Sequence, residues 1–440
     1  MNNAKAFTFG IQHLLAMYTG AILVPLIIGG ALGMSGEQIT YLVAIDLFMC
    51  GVATLLQVWR GKVIGIGLPV VLGCTFTALT PIITIGFDVS INAIYGSIIV
   101  SGLIIVLISG IFGKIVRFFP PVVTGSVVII IGISLLSTAI TNIGGGDAAA
   151  ENFGSSENLL LAAIALMTII VVYRFTTGFM RAIAILMGIV VGTIAGLIMG
   201  VVDFTDVNEA GWFHMVQPFY FGAPVFRLES IITMTLIGMV SLVESTGVYY
   251  ALSDICKKPL TSKDLAKGYR AEGLASMIGG IFNAFPYTTY SQNVGLVKIT
   301  GVKERKVIFI TGGLLIVLGF LPKFAALTQI IPTPVLGAAM IAMFGLVITQ
   351  GMTMLAPEIS KSMENSLIVA CAVGLGVGVS VVPSVFAGLP SSLSLLFSNG
   401  IVTGSVTAIV LNILFNILGQ SKVETDVQAV SQQRVENKQA

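Results

Sequence analysis

The sequence predicts an all-α polytopic membrane protein, and three observations support that prediction. Of the 440 residues, 56% are hydrophobic and only 10% are charged, and the mean hydropathy is +1.00. Soluble domains carry roughly a quarter charged residues, so most of this chain's outer surface must face an apolar medium. The chain also divides into fourteen apolar runs, and its basic residues collect in every second connection between them.

Each predicted span is an apolar run close to the length of about 20 residues that crosses a bilayer as a helix. The ninth and tenth runs are short and poorly separated. The first run is not a cleavable signal peptide, because it is too long, carries Gln12 and His13, and lacks a cleavage site. The predicted spans cover residues 8–30, 39–58, 64–85, 92–113, 120–140, 159–173, 181–200, 229–252, 270–285, 288–302, 306–321, 334–352, 365–382 and 400–418.

The even-numbered connections hold most of the basic residues, whereas the odd-numbered ones hold only Arg227 and Lys323. Because Lys and Arg mark cytoplasmic loops, the even connections and both termini are predicted to be cytoplasmic. The polar tail, 421–440, has no apolar face to bury and is predicted to be disordered. The basic residues of the even connections are Arg60, Lys62, Lys114, Arg117, Arg174, Arg181, Lys257, Lys258, Lys263, Lys267, Arg270, Lys303, Arg305, Lys306 and Lys361.

The two halves of the chain resemble each other. The segment Pro120–Gly125 is similar to Pro332–Gly337, which lies 212 residues later. Residues 1–228 and 229–420 would each hold seven spans, and an odd number makes the second copy enter the membrane from the opposite side. This arrangement is the inverted repeat of secondary transporters.

Two spans at equivalent places in the halves do not have the composition of a regular helix. The third contains Gly65, Gly67, Pro69 and Gly73, and the tenth begins with Pro286 and continues through polar residues. Irregular backbone is tolerated inside a membrane only where it is buried in protein or lines a cavity. Such a pair of broken spans points to a transport site. The alternative is two kinked helices that pack tightly through glycine.

Polar side chains in the spans are the candidate binding groups. Glu244 lies in the middle of the eighth span, where a carboxyl costs roughly 3 kcal/mol or more and is a functional hypothesis by default. The alternative is a protonated carboxyl hydrogen-bonded to a neighbouring helix. Gln292 and Asn293 supply two carboxamides to the broken tenth span, and each suits a planar ligand with N–H and C=O groups on its edge. Either amide could instead link two helices.

Four further residues each allow two interpretations. Phe76, at the centre of the third span, is either a stacking surface for a heterocycle or a core side chain. His13 either relays protons or hydrogen-bonds a neighbouring helix. Asp46 either packs helices or belongs to a proton path. Glu272 either pairs with Arg270 or is a protonatable coupling group.

Several classes of function are excluded. No segment matches the phosphate-binding motif GxxxxGK[ST], so the chain does not drive transport by hydrolysing a nucleotide. No hydrolytic or metal centre is recognisable, and the chain is predicted to be neither an enzyme nor dependent on a cofactor. A net charge of +2 gives no reason to expect nucleic acid as a partner.

Three motifs together resemble one family. The segment Ser291–Gly301 resembles the signature of the nucleobase–ascorbate transporters: Gln or Glu, Asn, any residue, Gly, four residues, Thr, and a last position that is Arg, Lys or Gly. Gln12 and His13 match the Gln-His pair of that family, and Glu244–Gly247 resembles its acidic motif in the eighth span. Within the family the likeness is to bacterial xanthine permeases, with urate permeases close behind.

The resemblance implies an architecture and a transport mode. Spans 1–4 and 8–11 would form a core domain, and spans 5–7 and 12–14 a gate domain. Spans 3 and 10 would contain short antiparallel strands. Members of the family are usually homodimers in the lipid bilayer, and the bacterial ones take up their substrate with protons across the cytoplasmic membrane. The proton gradient would therefore supply the driving force for uptake, and no cofactor is implied.

The resemblance also implies a role for each site residue. Glu244 and Gln292 would bind the base through their side chains, and Phe76 and Ser291 would offer backbone N–H groups. Phe76 and Tyr290 would form ring walls. A Gln at position 292, where uracil carriers have Glu, resembles the purine-dione branch. The implied substrate is thus an oxidised purine, with xanthine first and urate or, less favoured, uracil as alternatives.

Proton coupling is expected to involve Glu272 and His13. Glu272 stands where the family often has Asp, and His13 matches a histidine tied to binding or expression. Val248 departs from the pattern, because relatives often carry Asp or His one helical turn after Glu244. That departure favours Glu272 as the coupling group. Two rival functions are a passive channel and an anion transporter of the same architecture, and an acid in the binding site argues against both.

Overall fold

The computed structural model describes residues 2–115, 118–390, 393–394 and 397–418. The predicted disordered tail, 421–440, and Arg117 in the second basic connection lie outside this described part. Helices make up most of it, with two short strands among them.

The first half begins with two long helices and a short strand and continues with helices alone. Its elements are α1 (Asn3–Ala31), α2 (Gly36–Val58), β1 (Leu72–Cys74), a 3₁₀ turn (Phe76–Ala78), α3 (Leu79–Asp88), α4 (Ile91–Ile115), α5 (Pro121–Gly144), α6 (Ser156–Phe175), α7 (Gly178–Ala182), α8 (Ala184–Ile198) and α9 (Thr205–Glu209).

The second half also has one strand between its second and third helices. Its elements are α10 (Leu228–Cys256), α11 (Ser262–Ile281), β2 (Tyr287–Thr289), α12 (Ser291–Thr300), α13 (Arg305–Gly319), α14 (Pro322–Ala326), α15 (Thr333–Ile359), α16 (Met363–Val381), a second 3₁₀ turn (Pro383–Phe386) and α17 (Gly400–Asn412), which continues as a π-helix (Ile413–Leu418).

The predicted spans all coincide with helical elements. In the described residues, nine helices are long and apolar enough to cross a membrane: α1, α2, α4, α5, α6, α10, α15, α16 and α17 with its π-helical end. The other five predicted spans correspond to the shorter or more polar helices α3, α8, α11, α12 and α13. The prediction of an all-α polytopic membrane protein is confirmed.

The third and tenth spans are broken as predicted, and each is a short strand followed by a helix. The strands pair antiparallel, with Leu72 opposite Thr289 and Cys74 opposite Tyr287. Beyond the ladder, the Thr75 N–H donates to the Pro286 carbonyl at 2.9 Å. These pairings satisfy backbone groups that would otherwise be unpaired inside the membrane. The predicted pair of short antiparallel strands is confirmed.

The ninth span begins earlier than its apolar run suggests. Helix α11 starts after Thr261, whose hydroxyl accepts from the Asp264 N–H while the Asp264 carboxylate accepts from Thr261. This capping box fixes the start of the helix. Glu272, which the sequence places at the opening of the span near residue 270, is therefore near the middle of α11.

Contacts between Cα atoms separate the described residues into two compact units. The first comprises residues up to 114 together with 135–346, and the second comprises 115–134 together with residues from 347 onwards. Within the first unit, a Cβ atom at Gly51 of α2 would lie 2.5 Å from the Gly312 carbonyl oxygen of α13, so these two helices approach through small residues. The predicted division into core and gate domains remains a prediction.

Candidate functional site

In the first unit, the two-strand ladder places the starts of two helices one strand length apart, one at each end of the ladder. The 3₁₀ turn at Phe76 begins directly after β1, and α12 begins at Ser291 directly after β2. The ladder is three pairs long, which corresponds to about 7 Å along a strand. Helix N-termini carry partial positive charge and unpaired N–H groups, so both ends of the ladder can donate hydrogen bonds.

Glu244 lies beside this ladder, on the face of α10 that also carries Ser241 and Ser245. Its carboxyl is close enough to the side chain of Thr77 in the 3₁₀ turn to interact with it. The Ser241 hydroxyl lies 3.5 Å from that of Thr75. Glu244 is partly exposed, whereas Ser241 and Ser245 are buried. The acid predicted from the eighth span is thus held at the end of β1 with part of its surface open.

Ser245 joins α10 to the second strand. Its hydroxyl oxygen lies 3.0 Å from the Thr288 hydroxyl and accepts from the Thr289 N–H at 3.3 Å. The same hydroxyl donates to Glu272 Oε2 at 3.0 Å. One buried serine, which follows Glu244 in α10, therefore connects the strand β2 with the Glu272 carboxyl of α11.

The structure brings Phe76 to the same end of β1. Its ring packs edge-on against Phe344, with the centroids 5.7 Å apart and the planes at 82°. Phe344 is fully buried, whereas Phe76 is partly exposed. Edge-to-face contact supports one side of the Phe76 ring and fixes its orientation.

The residues at the start of α12 differ in their accessibility. Gln292 is exposed and Ser291 is partly exposed, but the Tyr290 side chain is buried. The Tyr290 hydroxyl donates to the Cys74 carbonyl at 3.0 Å, and a Cβ atom at Gly73 would meet its ring at 2.5 Å. In this arrangement the Tyr290 ring packs against Gly73 of β1, and Phe76 and Gln292 are the more accessible side chains.

Asn293 and His13 are brought together although they are 280 positions apart. The Asn293 Nδ2 atom lies 3.1 Å from His13 Nδ1 and 2.9 Å from the His13 carbonyl oxygen. Both side chains are buried. Of the two interpretations of His13, the structure displays the hydrogen bond to a neighbouring helix. Asn293 likewise links α12 to α1, which is the interhelical alternative for that amide.

Glu272 does not form the pair with Arg270 that was one of its two interpretations. The Arg270 guanidinium donates to the Ser109 hydroxyl at 3.0 Å and to the Val63 carbonyl at 3.2 Å. The buried Glu272 carboxyl instead accepts from the hydroxyls of Ser245 and Tyr249. The carboxyls of Glu244 and Glu272 are also close enough to interact electrostatically.

Asp46 is fully buried and bonded to the strand region. Its Oδ1 accepts from the Tyr287 hydroxyl at 3.0 Å, and the Cys50 thiol lies 3.6 Å from Oδ2. Tyr287 lies 241 positions from Asp46, so no local pattern of the sequence pairs these two residues. The acid therefore anchors β2 to α2.

Sequence reasoning missed Gln57 and Tyr249, which complete the surroundings of Glu272. The Gln57 Nε2 atom donates to the Tyr249 hydroxyl and, at 3.3 Å, to the Gly268 carbonyl. A buried amide near the end of the apolar second span was a usable signal for Gln57. Nothing in the sequence distinguished Tyr249 from other aromatic residues of the spans.

A cavity of about 310 Å³ lies elsewhere in the first unit, at the start of α2. The stacked rings of Tyr41 and Tyr220, with centroids 3.9 Å apart, form part of its wall, and Glu37 and Asp206 line it. None of the residues predicted to bind substrate lines this cavity. Among the described residues, no group of three or more His, Cys, Asp or Glu side chains is arranged to hold a metal ion.

Comparison with known proteins decides the family. The model Xan_ur_permease, described as "Permease family", matches residues 4–385. The chain belongs to the nucleobase–ascorbate transporter family. It is thus a membrane transporter and not an enzyme, as the sequence predicted.

Two relatives of this nucleobase–ascorbate transporter are similar over nearly their whole length. The xanthine permease of Bacillus subtilis (strain 168) is 57% identical over 396 residues, which is 90% of each chain. The uric acid permease PucK of the same organism is 56% identical over 399 residues, which is 91% of this chain and 93% of the relative. The two identities are almost equal, so they do not rank one substrate above the other.

A solved structure has the same fold. The transmembrane domain of the cyanobacterial bicarbonate transporter BicA matches with a TM-score of 0.64 at 18% identity, covering 87% of this chain and 97% of that one. At this identity the likeness concerns the fold alone. The transporter has the fold of fourteen membrane segments in two sets of seven that the sequence predicted.

Proposed function

We propose that this transporter is a proton-coupled importer of an oxidised purine, with xanthine as the first candidate and urate as the alternative. The observation that carries the proposal is the partly exposed Glu244 carboxyl, which lies near Thr77 at one end of the strand ladder whose other end leads to the exposed Gln292. The names of the two Bacillus subtilis relatives support the substrate class.

The chemistry of these groups suits a planar ring with N–H donors. An ionised Glu244 accepts one or two ring N–H bonds, and each charge-assisted bond is worth about 1.5–3 kcal/mol. The Gln292 carboxamide presents an acceptor beside a donor and pairs with an adjacent C=O and N–H edge. The backbone N–H groups at Phe76 and Ser291 would complete the polar contacts. The exposed part of the Phe76 ring would cover one face of the base.

An anion such as bicarbonate or sulfate suits the site less well. Helix N-termini alone attract negative charge, and both helices that begin at the ladder offer theirs. Glu244 beside them would repel an anion, because two like charges at short range oppose binding. A passive channel also fits poorly, since a neutral pore has no need of a carboxyl that is costly to place in a membrane.

We assign the coupling proton to Glu272. Its carboxyl is buried, it lies within electrostatic range of Glu244, and Ser245 connects it directly to β2. Protonation of Glu272 would remove a negative charge near Glu244 and would change the hydrogen bonds of Ser245. His13 would have the supporting role of fixing α12 through Asn293.

The proposal includes an orientation and an assembly. The basic loops would face the cytoplasm with both termini, in a bacterial cytoplasmic membrane, and the second set of seven spans would be inverted relative to the first. Spans 1–4 and 8–11 would form the core that moves against a gate of spans 5–7 and 12–14. The transporter would work as a homodimer within the lipid bilayer.

A transport assay with a substrate panel tests the proposal. The full chain is expressed in cells that lack their own purine carriers, and uptake of radiolabelled xanthine, urate, hypoxanthine, uracil and sulfate is measured with and without an uncoupler. Xanthine or urate should accumulate, and the uncoupler should abolish accumulation. Accumulation of sulfate instead, or purine equilibration without accumulation, would contradict the proposal. Uncoupler-resistant uptake that needs sodium would reverse the choice of ion.

A further inference from the structure

Glu272 has an unusually specific set of hydroxyl partners. One carboxyl oxygen, Oε1, accepts from the Tyr249 hydroxyl, and the other, Oε2, accepts from the Ser245 hydroxyl at 3.0 Å. All three side chains are buried, with exposures of 2%, 0% and 0% for Glu272, Tyr249 and Ser245. Each oxygen of the acid therefore faces one hydroxyl, and the direction of the two hydroxyl hydrogens decides which charge state is favoured.

The direction of the Tyr249 hydrogen is set by Gln57. The Gln57 Nε2 atom can only donate, so the Tyr249 oxygen accepts from it and its own hydrogen is directed at Glu272. The orientation of the amide is fixed independently, since the Gln57 Oε1 atom accepts from the Ile66 N–H at 3.4 Å. Gln57 Nε2 also donates to the Gly268 carbonyl at 3.3 Å.

The Ser245 hydroxyl is directed in the same way from the other side. Its oxygen accepts from the Thr289 N–H at 3.3 Å and from the Thr289 hydroxyl at 3.1 Å. The single hydrogen of the Ser245 hydroxyl then points at Glu272 Oε2 rather than at the Thr288 hydroxyl, also 3.0 Å away, because a carboxylate is the stronger acceptor. Two donors aimed at the two oxygens stabilise a carboxylate, and a protonated carboxyl must give up or reverse one of these bonds.

We propose that Tyr249 and Gln57 are positioning residues that set the pH at which Glu272 takes up its coupling proton. This inference rests on the proposed function of proton-coupled uptake. Tyr249 on α10 supports Glu272 on α11 with a buried phenol hydroxyl. Gln57 acts mainly through Tyr249, and its Nε2 atom also lies 3.5 Å from Glu272 Oε1.

The hydrogen bonds of Gln57 and Ser245 also connect Glu272 to both strands. Gln57 lies at the end of α2. Its backbone carbonyl accepts from the N–H of Gly67, in the loop that leads to β1, at 3.1 Å. Its side chain holds the N–H of Ile66 in the same loop. Reorganisation around Glu272 thus reaches the approach to β1 through Gln57, and β2 through Ser245.

Other titratable groups lie around Glu272. Glu244 on α10 interacts with it electrostatically. The Tyr269 ring is tilted against that of Tyr249 at 6.3 Å, and its hydroxyl lies 2.6 Å from that of Thr246. Tyr287 lines a small cavity together with Glu272 and donates its hydroxyl hydrogen to Asp46 at 3.0 Å. Apart from Tyr269, which supplies the control, these groups are the same in wild type and variants.

The test compares Tyr249→Phe with the matched control Tyr269→Phe, because both remove one buried phenol hydroxyl but only the first removes a bond to Glu272. Initial rates of radiolabelled xanthine uptake are measured in membrane vesicles from pH 5 to 9. Loss of a donor to the carboxylate favours protonation, so the half-maximal pH should move upward by about one unit in Tyr249→Phe. Tyr269→Phe should keep the wild-type profile.

A second variant checks the role of Gln57. Gln57→Leu should shift the profile in the same upward direction, because it removes the donor to Tyr249 and an N–H that lies 3.5 Å from Glu272 Oε1. The double variant with Tyr249→Phe should shift the profile by less than the sum of the two single shifts, because part of the effect of Gln57 passes through the phenol. If Tyr249→Phe does not fold, the Gln57→Leu variant tests the inference by itself. An unchanged or downward profile in the folded variants would overturn the inference. If wild type takes up xanthine without pH dependence or uncoupler sensitivity, the proposed function fails instead, and the two failures are distinct.

Discussion

The Tyr290 ring covers the Cα atom of Gly73, so a Cβ atom at position 73 would lie 2.5–2.9 Å from three of its carbon atoms. Gly73 is the central residue of β1 and pairs with Thr288 of β2. The two broken spans therefore depend on a residue without a side chain at the point where an aromatic ring passes under the strand.

Gly73→Ala should destabilise the transporter and weaken substrate binding together. The new methyl group collides with the Tyr290 ring, and relief of such overpacking costs about 1–3 kcal/mol. The melting temperature in detergent and the affinity for xanthine should both fall. Gly313→Ala in α13 is the control, because a Cβ atom there meets nothing within 4 Å, and it should lower neither quantity. Equal behaviour of the two variants would contradict the packing argument.

Glu244→Gln should reduce the affinity for the purine by about tenfold to a hundredfold, and Glu244→Ala should reduce it more. The neutral amide loses one or two charge-assisted bonds of about 1.5–3 kcal/mol each. Binding is measured by scintillation proximity with purified protein. Asp254→Asn, an exposed acid on the same helix, is the matched control. Full affinity in Glu244→Ala would remove this residue from the site.

Phe76→Ala should weaken binding, whereas Phe76→Tyr should retain most of the affinity. Stacking of a base on an aromatic ring is worth about 1–3 kcal/mol by alanine substitution, and the tyrosine ring keeps that surface. Thermal unfolding without ligand separates this effect from loss of the contact with Phe344. If Phe76→Ala loses stability but no affinity, the ring belongs to the core only.

Asn293→Ala should lower stability more than affinity. The substitution removes the hydrogen bonds to His13 Nδ1 and to the His13 carbonyl, and leaving a buried group unpaired costs about 1–3 kcal/mol. The amount of folded protein after detergent extraction and its melting temperature should fall, while the folded fraction binds xanthine. Normal stability with abolished binding would place Asn293 in direct contact with the substrate.

Tyr287→Phe should destabilise the strand region because Asp46 loses its hydroxyl donor. An unsatisfied buried acceptor costs about 1–3 kcal/mol. A double-mutant cycle with Asp46→Asn, followed by thermal unfolding, measures the coupling of the two side chains. Additive effects would mean that this bond contributes little. Tyr173→Phe, at an exposed position on α6, serves as the control for loss of a phenol hydroxyl.

The start of the ninth span illustrates where hydropathy falls short. The sequence places the opening of that span near residue 270, because the apolar run begins there. Helix α11 begins eight residues earlier, at Ser262, since the Thr261–Asp264 capping box decides where the backbone turns helical. The first two turns of α11 carry Lys263 and Lys267, so their hydropathy is too low for them to be recognised as part of a span. Glu272 consequently lies mid-helix, with neighbours that a position at the helix start would not have.

The individual roles in the site show the same division. The motifs indicated Glu244, Gln292 and Phe76 as binding residues, and the structure places all three around the strand ladder. They also suggested Tyr290 as a ring wall, but its ring is buried against Gly73. Composition reports that an aromatic residue is present, while the side of the strand on which it lies depends on strand pairing.

The sequence alone determined the membrane class, the number of spans, the two broken spans and the family, because hydropathy, loop charge and motif spacing are local properties of the chain. Only the tertiary structure decided which polar groups meet. The bonds of Asn293 with His13, Tyr287 with Asp46 and Tyr249 with Gln57 each join residues at least 190 positions apart. Such partners depend on the register of β1 against β2 and on the rotation of each helix about its axis, and no local pattern encodes either.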